Sequence, residues 1–170
     1  MYKYCFIACL FFVITASSLF AQQKDTLYSF TLFKDVKITI DRTVQSFTSK
    51  KPAQLILSAL PNGNTTAQTM GKKMQPGDDW HFDIQHIRAQ TAFLRKAMPH
   101  KNIVVAYLEN EYKSWPAWKQ KHPEFAVEIK SIIDSLSSLV TKPVIYLNGH
   151  SGGGSFIFGY LAGVKTISRN

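Results

Sequence analysis

Gly149-His150-Ser151-Gly152-Gly153 sets a serine among glycines, directly after the apolar run Val144–Leu147 and shortly before a second apolar stretch. Three chemistries use such a turn. A phosphate-binding loop needs G-x-x-x-x-G-K-[ST]. Gly149 and Gly154 have that spacing, but Ser155 stands where the lysine should be. A dinucleotide fingerprint begun at Gly152 and Gly154 would need its third glycine at Ile157, and no acidic residue follows. The pattern that is met is G-x-S-x-G. On a sharp strand-to-helix turn it strains the serine backbone, exposes the hydroxyl and demands small neighbours. Ser151 then reads as a nucleophile toward an acyl carbon; the competing reading is a plain turn serine in a glycine-rich crossover.

A serine hydroxyl attacks poorly until a histidine, oriented by a carboxylate, takes its proton. Residues 152–170 contain no Asp, Glu or His. His150 adjoins Ser151, but neighbouring side chains diverge at such a turn, so it reads as a substrate-lining neighbour rather than the base. His81, Asp83 and His86, in "DDWHFDIQH", form the densest polar cluster. Their spacing matches no strong metal pattern, and a solvated helix start capped by Asp83 accounts for them. Surface roles suffice for His100 and His122. Trp80, Trp115 and Trp118 read as loop residues near the same end of the fold, where tryptophan serves substrate lining and loop packing alike.

The elements that must position Ser151 follow from pattern. Thr26–Phe33 and Val36–Ile40 read as a hairpin, and Gln54–Leu60 as a strand buried on both faces, closed by Pro61-Asn62-Gly63-Asn64. Thr65 to Phe82 lacks periodicity and reads as a long loop. A helix is expected over Asp83–Met98, with Ile84, Ile87, Thr91, Leu94 and Met98 on one face, stopped by Pro99. Asn102–Leu108 is a strand, Pro123–Val140 the clearest helix, Val144–Leu147 a strand and Gly152–Ala162 a helix. The alternation from Gln54 onward predicts an α/β fold with a mostly parallel sheet of about five strands and helices on both faces. The serine turn then lies at the carboxyl ends of the strands, where ligands bind in such sheets.

Composition limits the rest. The chain has 170 residues, 45% of them hydrophobic, enough for one globular domain with a core. Residues 1–21 read as a signal peptide: Lys3, the apolar run Cys5–Ala16, then small residues around Ala21. An uncleaved anchor is the competing reading, because Tyr4–Phe20 approaches membrane-spanning length. Export to the periplasm or the exterior is expected, without stable membrane insertion once the signal is removed. Both cysteines, Cys5 and Cys9, fall in that leader, so its loss leaves no disulfide, zinc-thiolate site or cysteine nucleophile. The formal charge is +9. Its lysines are scattered along the chain with no RNA- or zinc-finger-type motif, so a solvated surface is expected rather than nucleic-acid binding, with an anionic surface as a weak possible partner.

From Thr26 to Gly163 the chain resembles the α/β-hydrolase family: a leading hairpin, a buried strand ending in "ALPNGNT", the strand "NIVVAYL", a long helix, "VIYLN" and "GHSGGG". The resemblance implies that residues 26–170 are the amino-terminal part of such a domain, ending just after the helix that follows the serine. By resemblance Ser151 is the nucleophile of an ester, thioester or peptide hydrolase. The N–H of Gly152 is one oxyanion donor, and Asn62, Gly63 and Asn64 are candidates for the second. His150, Trp115 and Trp118 become substrate-lining residues. The partner is a small-molecule or polymeric acyl substrate, with no cofactor and no metal. Because the triad acid and histidine are absent after Ser151, the hydrolase is expected to be incomplete in this stretch and inactive on its own; a non-catalytic binding protein on the same scaffold is the alternative. The last strand is expected at an open sheet edge.

Overall fold

A computed structural model describes residues 25–167. The signal-peptide reading of residues 1–21 lies outside them. The chain opens with a hairpin, β1 (Asp25–Leu32) and β2 (Val36–Thr43), in which Leu32 faces Val36 across a three-residue turn. β1 buries only one face, with Tyr28, Phe30 and Leu32 packed on the core. β2 carries Val36, Ile38 and Ile40, all fully buried. β3 (Ala53–Ala59), β4 (Asn102–Asn110) and β5 (Val144–Gly149) complete a sheet ordered β1-β2-β4-β3-β5.

That sheet corrects the expected one. It is mixed rather than mostly parallel: β1 with β2 and β2 with β4 are antiparallel, while β3 is parallel to β4 and to β5. The class remains α/β, but the α/β-hydrolase-like, mostly parallel sheet does not stand. The cause is the hairpin. Its short turn forces β2 to run against β1, and β2 then docks its apolar face beside β4 instead of remaining a peripheral flap. Hydrophobic period reports that a strand is buried and says nothing of which neighbour it takes or in which direction.

Helices cover both faces. α1 (Thr66–Met70) and α2 (Ile87–Ala97) lie on one, where Met70 and Ile87 pack with Val105 and Tyr107. α3 (Trp115–Lys121), α4 (Phe125–Ser137) and α5 (Gly154–Ile167) supply the larger core on the other, with Ile129, Ile132 and Phe156 against Leu55, Leu57 and Ala106. Alternation along β3 and β4 sends successive residues to the two cores. Among the described residues no helix is long and apolar enough to cross a membrane.

Local chemistry moves several boundaries. α1 arises inside the expected loop because Thr65 and Gln68 form a reciprocal capping box. Asp83 is not a helix cap. Asp79 instead accepts from His81 N–H to open a 3-10 turn, Trp80–Asp83, and α2 starts only after His86, whose φ of 48° breaks the run. α3 replaces the expected aromatic loop, capped by Ser114 with proline in its first turn. Arg95 of α2 reaches the hairpin, with Nη1 2.8 Å from Asp41 and 3.0 Å from Asp25. Burial pushes the Asp41 carboxyl above the usual range, against the pull of that guanidinium.

β5 does lie at the sheet edge. Its Val144, Ile145 and Tyr146 are 57%, 39% and 46% exposed, while Leu55 and Leu57 of the neighbouring β3 are at most 1% exposed. Among the described residues the strand pairs with β3 only, in a register that sets Ala59 opposite Gly149 and Ser58 opposite Asn148. Asn148 Nδ2 donates to Ser58 Oγ at 3.3 Å near that end.

Candidate functional site

β5 ends at Gly149, and the chain turns through His150 into a 3-10 turn, Ser151–Gly153, that runs directly into α5. Ser151 has φ 51°, in the left-handed region that costs a non-glycine residue about 1–2 kcal/mol. Its side of the turn is exposed, while Gly152 and Gly153 are buried. A strained serine at the top of a strand, opening a helix, is the geometry that lifts a hydroxyl clear of its surroundings.

The glycines show why the turn can exist. A Cβ on Gly149 would meet the Gly153 carbonyl carbon at 2.7 Å, so the two glycines of the pattern lie backbone against backbone. A Cβ on Gly153 would overlap the Ala59 carbonyl oxygen at the end of β3, and one on Gly152 would overlap the Asn62 side chain. The spacing in the sequence therefore records three close approaches: turn on turn, turn on strand, and turn on the loop after β3.

That loop, Pro61 to Thr65, brings the second oxyanion candidates to the serine turn, and its hydrogen bonds separate them. Gly63 N–H donates to Lys113 O at 2.8 Å, and Asn64 N–H to Pro61 O at 3.3 Å, so both are occupied. Asn64 is itself buried at 3% exposure, and its Nδ2 has no partner among the described residues. Asn62 is exposed, touches Gly152 and keeps its N–H unengaged among the described residues. On the other side, the first bond of the helical turn runs from Gly153 N–H to His150 O at 2.9 Å. The Gly152 N–H precedes it and has no intrahelical partner. The Gly152 N–H, at the positive end of a helix dipole, and the Asn62 N–H in the neighbouring loop are thus both without a backbone partner among the described residues. Glu109 secures the loop by accepting from Thr66 N–H at 2.8 Å and from its hydroxyl at 2.6 Å.

The remaining sequence-derived residues fall differently. His150 is exposed and extended, with φ −105° and no side-chain capping bond. Trp115 and Trp118 line no open surface: they are 1% and 0% exposed, inside the core. Trp115 packs edge-on against Phe156 of α5 at 4.6 Å between ring centroids, so it braces the helix behind Ser151. Trp118 donates from Nε1 to Asp35 Oδ2 at 2.9 Å. Trp80 remains 67% exposed, stacked on His81. The histidine-rich loop resolves into two separate pairs, His81 with Asp79 and His86 with Asp83, and no metal-ligating trio forms among the described residues.

One charged cluster escaped the sequence reading. His122 is held between two carboxylates, Nε2 to Asp35 at 2.8 Å and Nδ1 to Glu128 at 2.8 Å, and stacks on Trp118 at 4.0 Å. His122 and Asp35 are 87 residues apart, and no local pattern announces their pairing. The cluster ties the hairpin turn to α3 and α4.

Comparisons with protein-family models, with curated proteins and with solved structures each found no match.

Proposed function

We propose that this chain carries the nucleophile and the oxyanion donors of a serine hydrolase acting on acyl compounds, with an ester, thioester or peptide bond as substrate. The observation that carries the reading is the left-handed Ser151 at a strand-to-helix turn closed by glycine contacts on both sides. In this reading Ser151 Oγ adds to the acyl carbon, and the electron pair displaced onto the carbonyl oxygen is received by the N–H groups of Gly152 and Asn62. Loss of one such donor typically costs about 2.7–4 kcal/mol in the transition state. The leaving group departs with a proton, and water then releases the acyl group from the serine. Affinity with the α/β-hydrolase family is part of the same proposal. It rests on this turn and on the loop after β3, not on the sheet.

The step needs a proton acceptor, and residues 152–170 contain none of the usual kind. Among the described residues no histidine or carboxylate hydrogen-bonds the Ser151 hydroxyl either, and that favours a second reading, a protein that keeps the turn and binds an acyl compound without cleaving it. Exposure of the folded protein to a fluorophosphonate probe separates the two. Hydrolysis predicts covalent labelling that maps to Ser151 and vanishes in Ser151→Ala. A folded full-length form left unlabelled at Ser151 overturns the hydrolase in favour of the binder.

A further inference from the structure

Five of the lysines that are scattered in the sequence gather at one end of the sheet. The loops that lead into β3, β4 and β5 all lie at the end of the sheet opposite Ser151, because Ala53 faces Asn102 and Gln54 faces Val144 in register. Lys50 and Lys51 precede β3, Lys96 ends α2, Lys101 precedes β4 and Lys142 precedes β5. Strands in the order β4-β3-β5, about 4.8 Å apart, are therefore entered by adjacent loops that carry Lys101, Lys51 and Lys142. Lys51 Nζ donates to Pro99 O at 2.7 Å, which places two of these loops in contact.

The acids at this end are already committed. Asp25 and Asp41 both pair with Arg95, and Asp134 in the last turn of α4 pairs with Lys130 at 2.5 Å. None of the five lysines has an acidic partner among the described residues. Uncompensated like charges gathered on three loops repel one another until an external anion neutralises them. Asp25, which opens β1, lies opposite Thr43 at this same end. Exposed Val44, at 57%, sits beside the same loops.

We propose that this edge docks on a bilayer surface rich in anionic phospholipid. Lysines near such a surface strengthen binding by about fivefold each, and salt weakens the attraction as the Debye length shrinks. The test is co-sedimentation of the exported protein, as purified from the expressing cell, with vesicles of phosphatidylcholine containing roughly a third phosphatidylglycerol or none. The proposal expects binding to the anionic vesicles only, lost in high salt, and weakened on the order of a hundredfold in Lys51→Gln/Lys101→Gln/Lys142→Gln. The control Lys37→Gln/Lys73→Gln/Lys121→Gln, with the same change in charge away from that edge, keeps the binding. Equal binding to both vesicle types overturns the proposal, as does equal weakening by the two triple variants. Tighter binding to duplex DNA than to the anionic vesicles overturns it in favour of a nucleic-acid surface. Thermal melts of both variants verify that they are folded.

Discussion

Among the turns that hold side-chain-bearing residues in the left-handed region, the β1–β2 hairpin turn and the turn at Ser151 differ in what surrounds them. The β1–β2 hairpin turn contains Phe33 at φ 52° and Lys34 at φ 69°, both exposed. Ser151, at φ 51°, is flanked by Gly149, Gly152 and Gly153, each pressed against backbone or against Asn62. The hairpin strain is local and could be relieved by changing the residue itself. At Ser151 the neighbours leave the chain no other path. Strain that a sequence could easily discard, yet is locked in by three adjacent contacts, is the kind associated with function.

Substitutions can break that contrast, and the largest effect belongs to the glycines. Gly153→Ala forces a methyl onto the Ala59 carbonyl and is expected to destabilise by about 3 kcal/mol or more, since overpacking against fixed backbone has no rotamer to relieve it. Urea unfolding checks this. Next come the matched pair Ser151→Gly and Lys34→Gly. Each removes a left-handed penalty of about 1–2 kcal/mol and adds chain entropy worth about 0.5–1 kcal/mol to the unfolded state. Both should therefore gain between about 0 and 1.5 kcal/mol in the same melts. Only Ser151→Gly should abolish fluorophosphonate labelling, and equal loss in Lys34→Gly would dissolve the distinction between the turns. The smallest change in stability is expected for exposed Asn62→Ala, within about 0.5 kcal/mol. Its labelling rate sharpens the comparison: a rate unchanged there is expected if the backbone N–H, rather than the side chain, is the donor.

How much of this was legible in the sequence depends on the range of the interaction. The hairpin and the doubly buried "QLILSAL" strand follow from short-range pattern, as does the strand-turn-helix setting of Ser151, whereas the edge position of β5 is implied only by the family resemblance. α1 was legible too, since Thr65-x-x-Gln68 is a capping-box signature, but the glycine and proline further on masked it. What local pattern cannot hold is pairing between distant segments. β2 beside β4, His122 between Asp35 and Glu128, and the adjacent loops of Lys51, Lys101 and Lys142 all depend on strand order. The burial of Trp115 and Trp118 belongs to the same class, because an aromatic pair after a turn reads alike whether it faces solvent or core. The choice of Asn62 over Gly63 needed the bond from Gly63 N–H to Lys113 O.

Because β5 hydrogen-bonds to a neighbour on one side only, every second amide along it faces away from the ladder. Those amides should trade their protons for deuterium far sooner than any in β3 or β4. The segment that delivers Ser151 is thus, like β1 at the opposite edge, less insulated than the middle of the sheet, and its exchange rate is a direct gauge of whatever comes to lie alongside it.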